Sequence, residues 1–147
     1  MTTQRLDFAT TAPSVHRALL ALHTAARKDL DDTLVELIQI RASQVNRCLF
    51  CLDMHIRDAR LAGETDDRIF QLGAWEESAL FSEKEKAVLA YTEAVTVLTD
   101  GFVPDDVHQR LSKHVDDAEL ASIIAVITSI NAWNRINVAT RKPPATP

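Results

Sequence analysis

ELIQIRASQVNRCLFCLDMHIRDARLAGETDDRI, residues 36–69, is the stretch on which the reading of the fold turns. Its apolar residues recur at helical rather than alternating spacing. Just upstream, the acidic cluster Asp29, Asp31 and Asp32 suits the positive end of a helix dipole, and Leu34, Leu37, Ile38 and Ile40 then form an inward face. A second helix is expected from about Cys48 to Ala62, stopping at Gly63, and a shorter one over Thr65–Trp75.

The pattern continues outward in both directions. Pro13 to Lys28 carries a one-sided stripe of Val15, Ala18, Leu19, Leu22 and Ala26. Ser82-Glu83-Lys84-Glu85 fits a capping box that opens a helix running through Leu98 and ending at Asp100-Gly101. Pro104 suits the first position of the next helix, which reaches about His114. Asp116 and Glu119 form a similar box before LASIIAVITSINAW, residues 120–133, a helix apolar on most sides and so central or at a subunit contact. With three glycines, no alternating segment, no repeat and no internal boundary, the chain reads as all-α. The expectation is one helical domain over residues 1–142 with about seven helices. Its first twelve or so residues and the tail 143–147 are expected to be disordered.

At 147 residues the chain can bury one core without staples. Its formal charge of −5 argues against nucleic acid, whose phosphates want a basic face. The start, MTTQRLDFATTAPS, lacks the apolar run of a secretory signal, and no stretch is long and apolar enough to span a bilayer. A cytoplasmic location is expected, where a lone C-x-x-C more often does redox or metal chemistry than it staples a fold.

The two cysteines, Cys48 and Cys51, are followed by His55. Haem attachment needs histidine directly after the second cysteine, and Leu52 stands there. Zinc favours thiolate and imidazole but wants four ligands, and no second Cys/His pair lies near in spacing. His108 and His114 point in opposite directions on one helix; His16 and His23 can share a face but read as a solvated or core-edge pair. On a helix Cys48, Cys51 and His55 fall within about 60° of arc, and Cys51 and His55 are direct i, i+4 neighbours. A helix start at Cys48 favours a thiolate there, whereas the imidazole favours one at Cys51. Two small apolar cysteines packed in a core remain the bland alternative. Trp75 and Trp133 read as core or interface residues, and Glu93 as a minor candidate for a second buried acid.

The quoted stretch, together with AW at 74–75, EKAVLAYTEAV at 85–95 and INAWNRIN at 130–137, resembles the alkylhydroperoxidase D-like branch of the carboxymuconolactone decarboxylase family. The likeness runs from about Asp31 to Ala139. Redox members of that family carry Glu, eleven residues, then C-x-x-C-x-x-x-H, and Glu36, Cys48, Cys51 and His55 match each position. In one straight helix Glu36 would stand about 18 Å from Cys48, so a chain reversal near Val45-Asn46-Arg47 is needed to bring it back. The resemblance implies proton relay to the thiols by Glu36 and His55. Two positions depart from it: Arg47 replaces a glycine that would ease a sharp turn, and Phe50 replaces a histidine that some relatives carry.

The resulting expectation is a thiol-dependent peroxidase or disulfide reductase with Cys51 attacking, Cys48 resolving, and Glu36 and His55 moving the proton. Its partners would be a peroxide substrate and an external dithiol donor, with no cofactor and no metal. The alternatives are a non-catalytic redox sensor, a metal-binding module, or a lactone decarboxylase, whose branch does not rely on the thiol pair. Surplus apolar faces on the helices at 83–98 and from 116 onward, with the resemblance, imply a homotrimer or homohexamer.

Overall fold

Asp31 opens the central helix, α3 (Asp32–Val45), by accepting the backbone N–H of Leu34 through its side chain, while Asp32 adds negative charge to the first turn. The helix is buried on nearly every side, and its buried residues include Glu36, Gln39 and Ser43 as well as Val35, Leu37, Ile38 and Ile40. The computed structural model describes residues 3–145. The other elements are α1 (Phe8–Thr11), α2 (Pro13–Arg27), α4 (Leu49–Leu61), α5 (Asp66–Gln71) with a 3₁₀ turn at Leu72–Ala74, α6 (Glu83–Thr96), α7 (Asp105–Ser112) and α8 (Asp117–Thr140), of which α4, α6 and α8 pack directly on α3. No strand occurs among the described residues.

Three apolar clusters meet α3 on different faces. Val35 and Ile38 join Val88 and Tyr91 of α6, Leu111 of α7, and Ile123 and Ile127 of α8. Leu37 and Ile40 join Ala59, Ile69, Leu72, Trp75, Phe81 and Leu89. Ala42 joins Cys48, Cys51 and Ile130. Each fully buried Leu or Ile contributes about 1.5–3 kcal/mol relative to exposure, so these clusters fix how the helices lie. The third of them contains the thiol pair itself.

The link between α3 and α4 decides where the thiols go. Arg47 takes a left-handed conformation, φ 54°. Its N–H reaches the Gln44 carbonyl at 3.2 Å, and the Cys48 N–H reaches the Ser43 carbonyl at 3.0 Å. These two bonds are the Schellman pattern, which stops α3 and reverses the chain. Cys48 then becomes the residue that begins α4. The same pattern ends α4, where Gly63 has φ 98° and the Glu64 N–H meets the Ala59 carbonyl at 2.9 Å. Glycine takes that conformation freely; Arg47 pays for it.

Elsewhere the caps follow the expected chemistry. Ser82 and Glu85 form a reciprocal capping box at the start of α6, and Asp116 accepts the Glu119 N–H at the start of α8. Other limits differ, beginning with α5, which ends at Gln71 and passes into the 3₁₀ turn short of Trp75. Helix α6 ends at Thr96 rather than Leu98, Pro104 caps α7 rather than entering it, and α1 adds an eighth α-helix among the described residues. The expectation of a disordered first dozen residues is also corrected over 3–12. Asp7 caps α1 by accepting from Ala9 and Thr10, and the Arg5 N–H meets the Thr140 carbonyl at 2.8 Å, supplying a partner to the open end of α8. Residues 1–2 and 146–147, also expected to be disordered, lie outside the described residues.

The apolar surplus is smaller than the pattern suggested, because this one chain already buries Ile123, Val126, Ile127 and Ile130 of α8. Ile124, Leu98 and Phe102 stay exposed. No described helix is long and apolar enough to cross a membrane.

Left-handed φ costs a non-glycine residue about 1–2 kcal/mol, and glycine recovers that less its own entropy. Arg47→Gly is therefore expected to raise the thermal midpoint by about 2–4 °C. A fall in the midpoint would show that contacts of the arginine side chain outweigh the strain.

Candidate functional site

Once the chain reverses at Arg47, α3 and α4 run side by side and Glu36 meets His55. The Glu36 Oε2 to His55 Nδ1 distance is 2.9 Å, with both side chains almost wholly buried. A carboxylate only accepts, so His55 donates from Nδ1 and its Nε2 is left for other work. The other carboxylate oxygen of Glu36 accepts from Arg27 at 3.2 Å, and Arg27 also donates to His23 Nε2 at 3.4 Å. A buried carboxylate needs such partners, since an unpaired one costs several kcal/mol, on the order of the desolvation of one ion.

The thiols lie one turn away on the same helix. Cys48 and Cys51 are free, buried, and hydrogen-bonded to each other through sulfur, 2.6 Å apart. That hydrogen bond, together with burial, pushes the Cys48 thiol well above its ordinary range. The same bond pulls the Cys51 thiol down to about 6 against the effect of burial, assisted by the amides of Asn137 and Asn134 and by the charge of His55. The N-terminal turn of α4 faces the same sulfur, since Cys51 is its third residue. Burial and the neighbouring sulfur thus weigh against the helix-start argument for a Cys48 thiolate and favour ionisation at Cys51.

Cys51 and His55 open together on a cavity of about 230 Å³. Leu20, Phe50, Met54 and Trp133 give it apolar walls, and His16, His23, Asp58, Asn137 and Lys142 give it polar points. Trp133 meets His16 edge to face at 5.3 Å, and the Lys142 Nζ sits 4.2 Å from the centre of the Phe50 ring. The His23 ring lies 6.5 Å from that of His55, and burial, then the charges of Arg27 and His55, lower its pKa, so it is neutral at neutral pH.

All four expected residues thus occupy one place: Glu36 and His55 in direct contact, Cys48 and Cys51 in direct contact, and Cys51 and His55 on a shared wall. Four further residues were not picked out. His16 and His23, expected as a solvated or core-edge pair, line the cavity, and Trp133, which packs against the Ala42–Cys51–Ile130 cluster as a core residue, also forms part of its wall. Asn137 carried no signal of its own, although it lies within INAWNRIN. Phe50, which replaces a histidine of relatives, forms an apolar wall instead. Glu93 serves structure: its Oε1 accepts from Arg41 Nε and from Trp75 Nε1, each at 2.7 Å.

Glu36, His55 and Asp58 bring ligand atoms within 4.8 Å of one another. Both oxygens of Glu36 and the Nδ1 of His55 are already bonded, with the Arg27 guanidinium alongside. A cation would have to break those bonds and sit near a fixed positive charge, so the trio fits an ion-pair network better than a metal centre.

Residues 13–94 match the Carboxymuconolactone decarboxylase family. The uncharacterized protein YdfG of Bacillus subtilis (strain 168) is 38% identical over 137 residues, covering 92% of this chain and 93% of that protein. A protein of unknown function from Agrobacterium tumefaciens, ATU0492, named as a candidate antioxidant defence protein AhpD, superposes with a TM-score of 0.96. It is 34% identical, over 99% of this chain and all of that one. The debrominase Bmp8 shares the fold at a TM-score of 0.84 and 17% identity, over 93% of this chain and 74% of its own.

A thiol lowered to about 6 is mostly ionised at neutral pH and loses its charge as pH falls through that value. Iodoacetamide is expected to modify Cys51 ahead of Cys48 at pH 7, with the rate halved near pH 6. Preferential modification of Cys48, or a rate that rises only near pH 9, would overturn this assignment.

Proposed function

The chain belongs to the carboxymuconolactone decarboxylase family, in its AhpD-like branch, and from that premise we propose that it is a thiol-dependent oxidoreductase reducing an organic peroxide or a disulfide. The observation that carries this reading is the position of the Cys51 sulfur: beside the Cys48 thiol, on the cavity wall, next to an imidazole held by a buried carboxylate.

With a peroxide, the Cys51 thiolate attacks the distal oxygen and the O–O bond breaks. Cys51 becomes a sulfenic acid and the alkoxide leaves. His55, fixed by Glu36 through Nδ1, carries on Nε2 the proton that the Cys51 thiol gave up and hands it to that alkoxide, so an alcohol departs. The Cys48 thiol then attacks the sulfenic sulfur, water leaves, and a Cys48–Cys51 disulfide forms. An external dithiol returns the pair to two thiols by exchange and is itself oxidised to a disulfide. If the substrate is a disulfide, the Cys51 thiolate attacks one of its sulfurs and a first thiol leaves with a proton, the Cys48 thiol then attacks the resulting mixed disulfide so that a second thiol leaves, and the same Cys48–Cys51 disulfide forms for the external dithiol to reduce.

The apolar walls support an organic substrate, since four large side chains line the cavity on which the sulfur opens. The decarboxylase reading gains nothing from two thiols in contact, and a sensor needs no proton relay behind the sulfur. In the same reading the protein works as a homotrimer or homohexamer that covers residues such as Ile124, Leu98 and Phe102, exposed here. A monomer mass by light scattering would refute that part and leave the thiol chemistry intact.

Turnover of an organic peroxide with a small dithiol tests the central reading. His55→Ala and Glu36→Gln should each lower it by about 10²- to 10⁴-fold with the circular dichroism spectrum retained. Equal turnover in the wild type and both variants would remove the relay. No peroxide or disulfide turnover by the wild type would sink the function.

A further inference from the structure

The segment INAWNRIN places Asn131, Asn134 and Asn137 three residues apart on α8, and the proposed chemistry leaves them without a role. On a helix that spacing turns each about 60° from the last, so the three spread over about 120° of one side. The structure shows that side turned toward the α3–α4 reversal. Asn46, the last residue before Arg47, donates from Nδ2 to the Oδ1 of Asn131 at 3.0 Å and of Asn134 at 2.9 Å. With its oxygen so held, Asn134 has its NH₂ turned to the thiol side, where it donates to the Ser43 Oγ at 3.0 Å. Asn131 is pinned through its own NH₂ to Thr96 and to the Ile127 carbonyl. One turn further, the Asn137 Nδ2 points at the Cys51 Sγ at 3.4 Å, and Asn137 is only 6% exposed. Its backbone is fixed as well, because its carbonyl accepts the Lys142 N–H at 3.0 Å in the turn that ends α8.

We propose that Asn137 is a catalytic residue of this protein: its side-chain amide holds the Cys51 sulfur as an anion facing the cavity, and Asn46 and Asn134 are positioning residues that lock α8 against the thiol turn. The proposal rests on Cys51 being the reactive thiol. An amide suits the task better than a charged donor. It stabilises the anion through hydrogen bonding, it does not titrate, and it cannot take the proton that His55 must deliver. It also answers a packing difficulty, since burial alone would keep both thiols protonated.

The test uses the full-length protein and iodoacetamide, with mass spectrometry locating the modified cysteine, so no peroxide chemistry is involved. A hydrogen bond to a charged group is worth enough to shift ionisation about ten-fold or more. At pH 5 the Cys51 alkylation rate of Asn137→Ala should fall about ten-fold below wild type, and the two rates should converge above pH 9, where the thiol ionises unaided. Asn137→Asp nearly preserves size and replaces the donor with a carboxylate; it should fall further at low pH and serves if the alanine variant does not fold. Asn46→Ala should shift the profile in the same direction by less. Wild-type rates at every pH in the folded aspartate variant would overturn the proposal. So would an equal loss of rate at all pH values, which marks a merely structural role. A shifted profile without peroxide turnover in the wild type would uphold Asn137 and reject the peroxidase reading.

Discussion

The pair of backbone hydrogen bonds around Arg47 determines everything downstream of it. They close α3 and start α4 within three residues, so a glutamate and a histidine nineteen positions apart come within 2.9 Å. The same turn puts Cys48 at the helix boundary and Cys51 inside the first turn of α4, where the thiols meet. A longer link would let α4 rotate, and the face bearing Cys51 and His55 would no longer match Glu36. Here the strain at Arg47 and the placement of the reactive groups are one feature, of the kind often stored at functional sites.

The polar groups that this turn gathers lie in a place that should be apolar. Glu36, Gln39 and Ser43 sit at i, i+3 and i+7 on the most buried helix of the fold. Glu36 is balanced by Arg27 and His55, and Ser43 by Asn134. Gln39 finds no side-chain partner among the described residues, at a cost of about 1–3 kcal/mol for each amide group left unpaired. A chain selected only for stability would carry aliphatic residues there. Keeping a polar stripe in the core is what a site of chemistry demands, and the three apolar clusters around α3 supply the stability that tolerates it.

Much of this was legible beforehand, for reasons that can be named. Helical periodicity and caps such as Ser82–Glu85 are local, so the all-α architecture and most helix limits could be read directly. The four residues Glu36, Cys48, Cys51 and His55 can be read because they match a family pattern; spacing alone leaves Glu36 about 18 Å from Cys48 and without a role. What escaped was of two kinds. His16, His23 and Trp133 reach the cavity from α2 and α8, and no spacing within the chain reveals which distant helices will share a wall. Asn137 escaped because an asparagine on an apolar helix gives no signal until its partner sulfur is in view. The strap from Arg5 to Thr140 was missed for a similar reason, since its partner carbonyl exists only once α8 ends.

The central claim is that Cys48 and Cys51 form one two-electron unit, and a single-turnover stoichiometry addresses it most directly. Reduced protein is mixed with one equivalent of an organic hydroperoxide and no donor, then digested without reduction. The account predicts one equivalent of alcohol and a peptide spanning both cysteines that has lost two hydrogens as an intramolecular disulfide. A peptide that keeps both thiols while the peroxide persists, or chains joined to one another through sulfur, would contradict it.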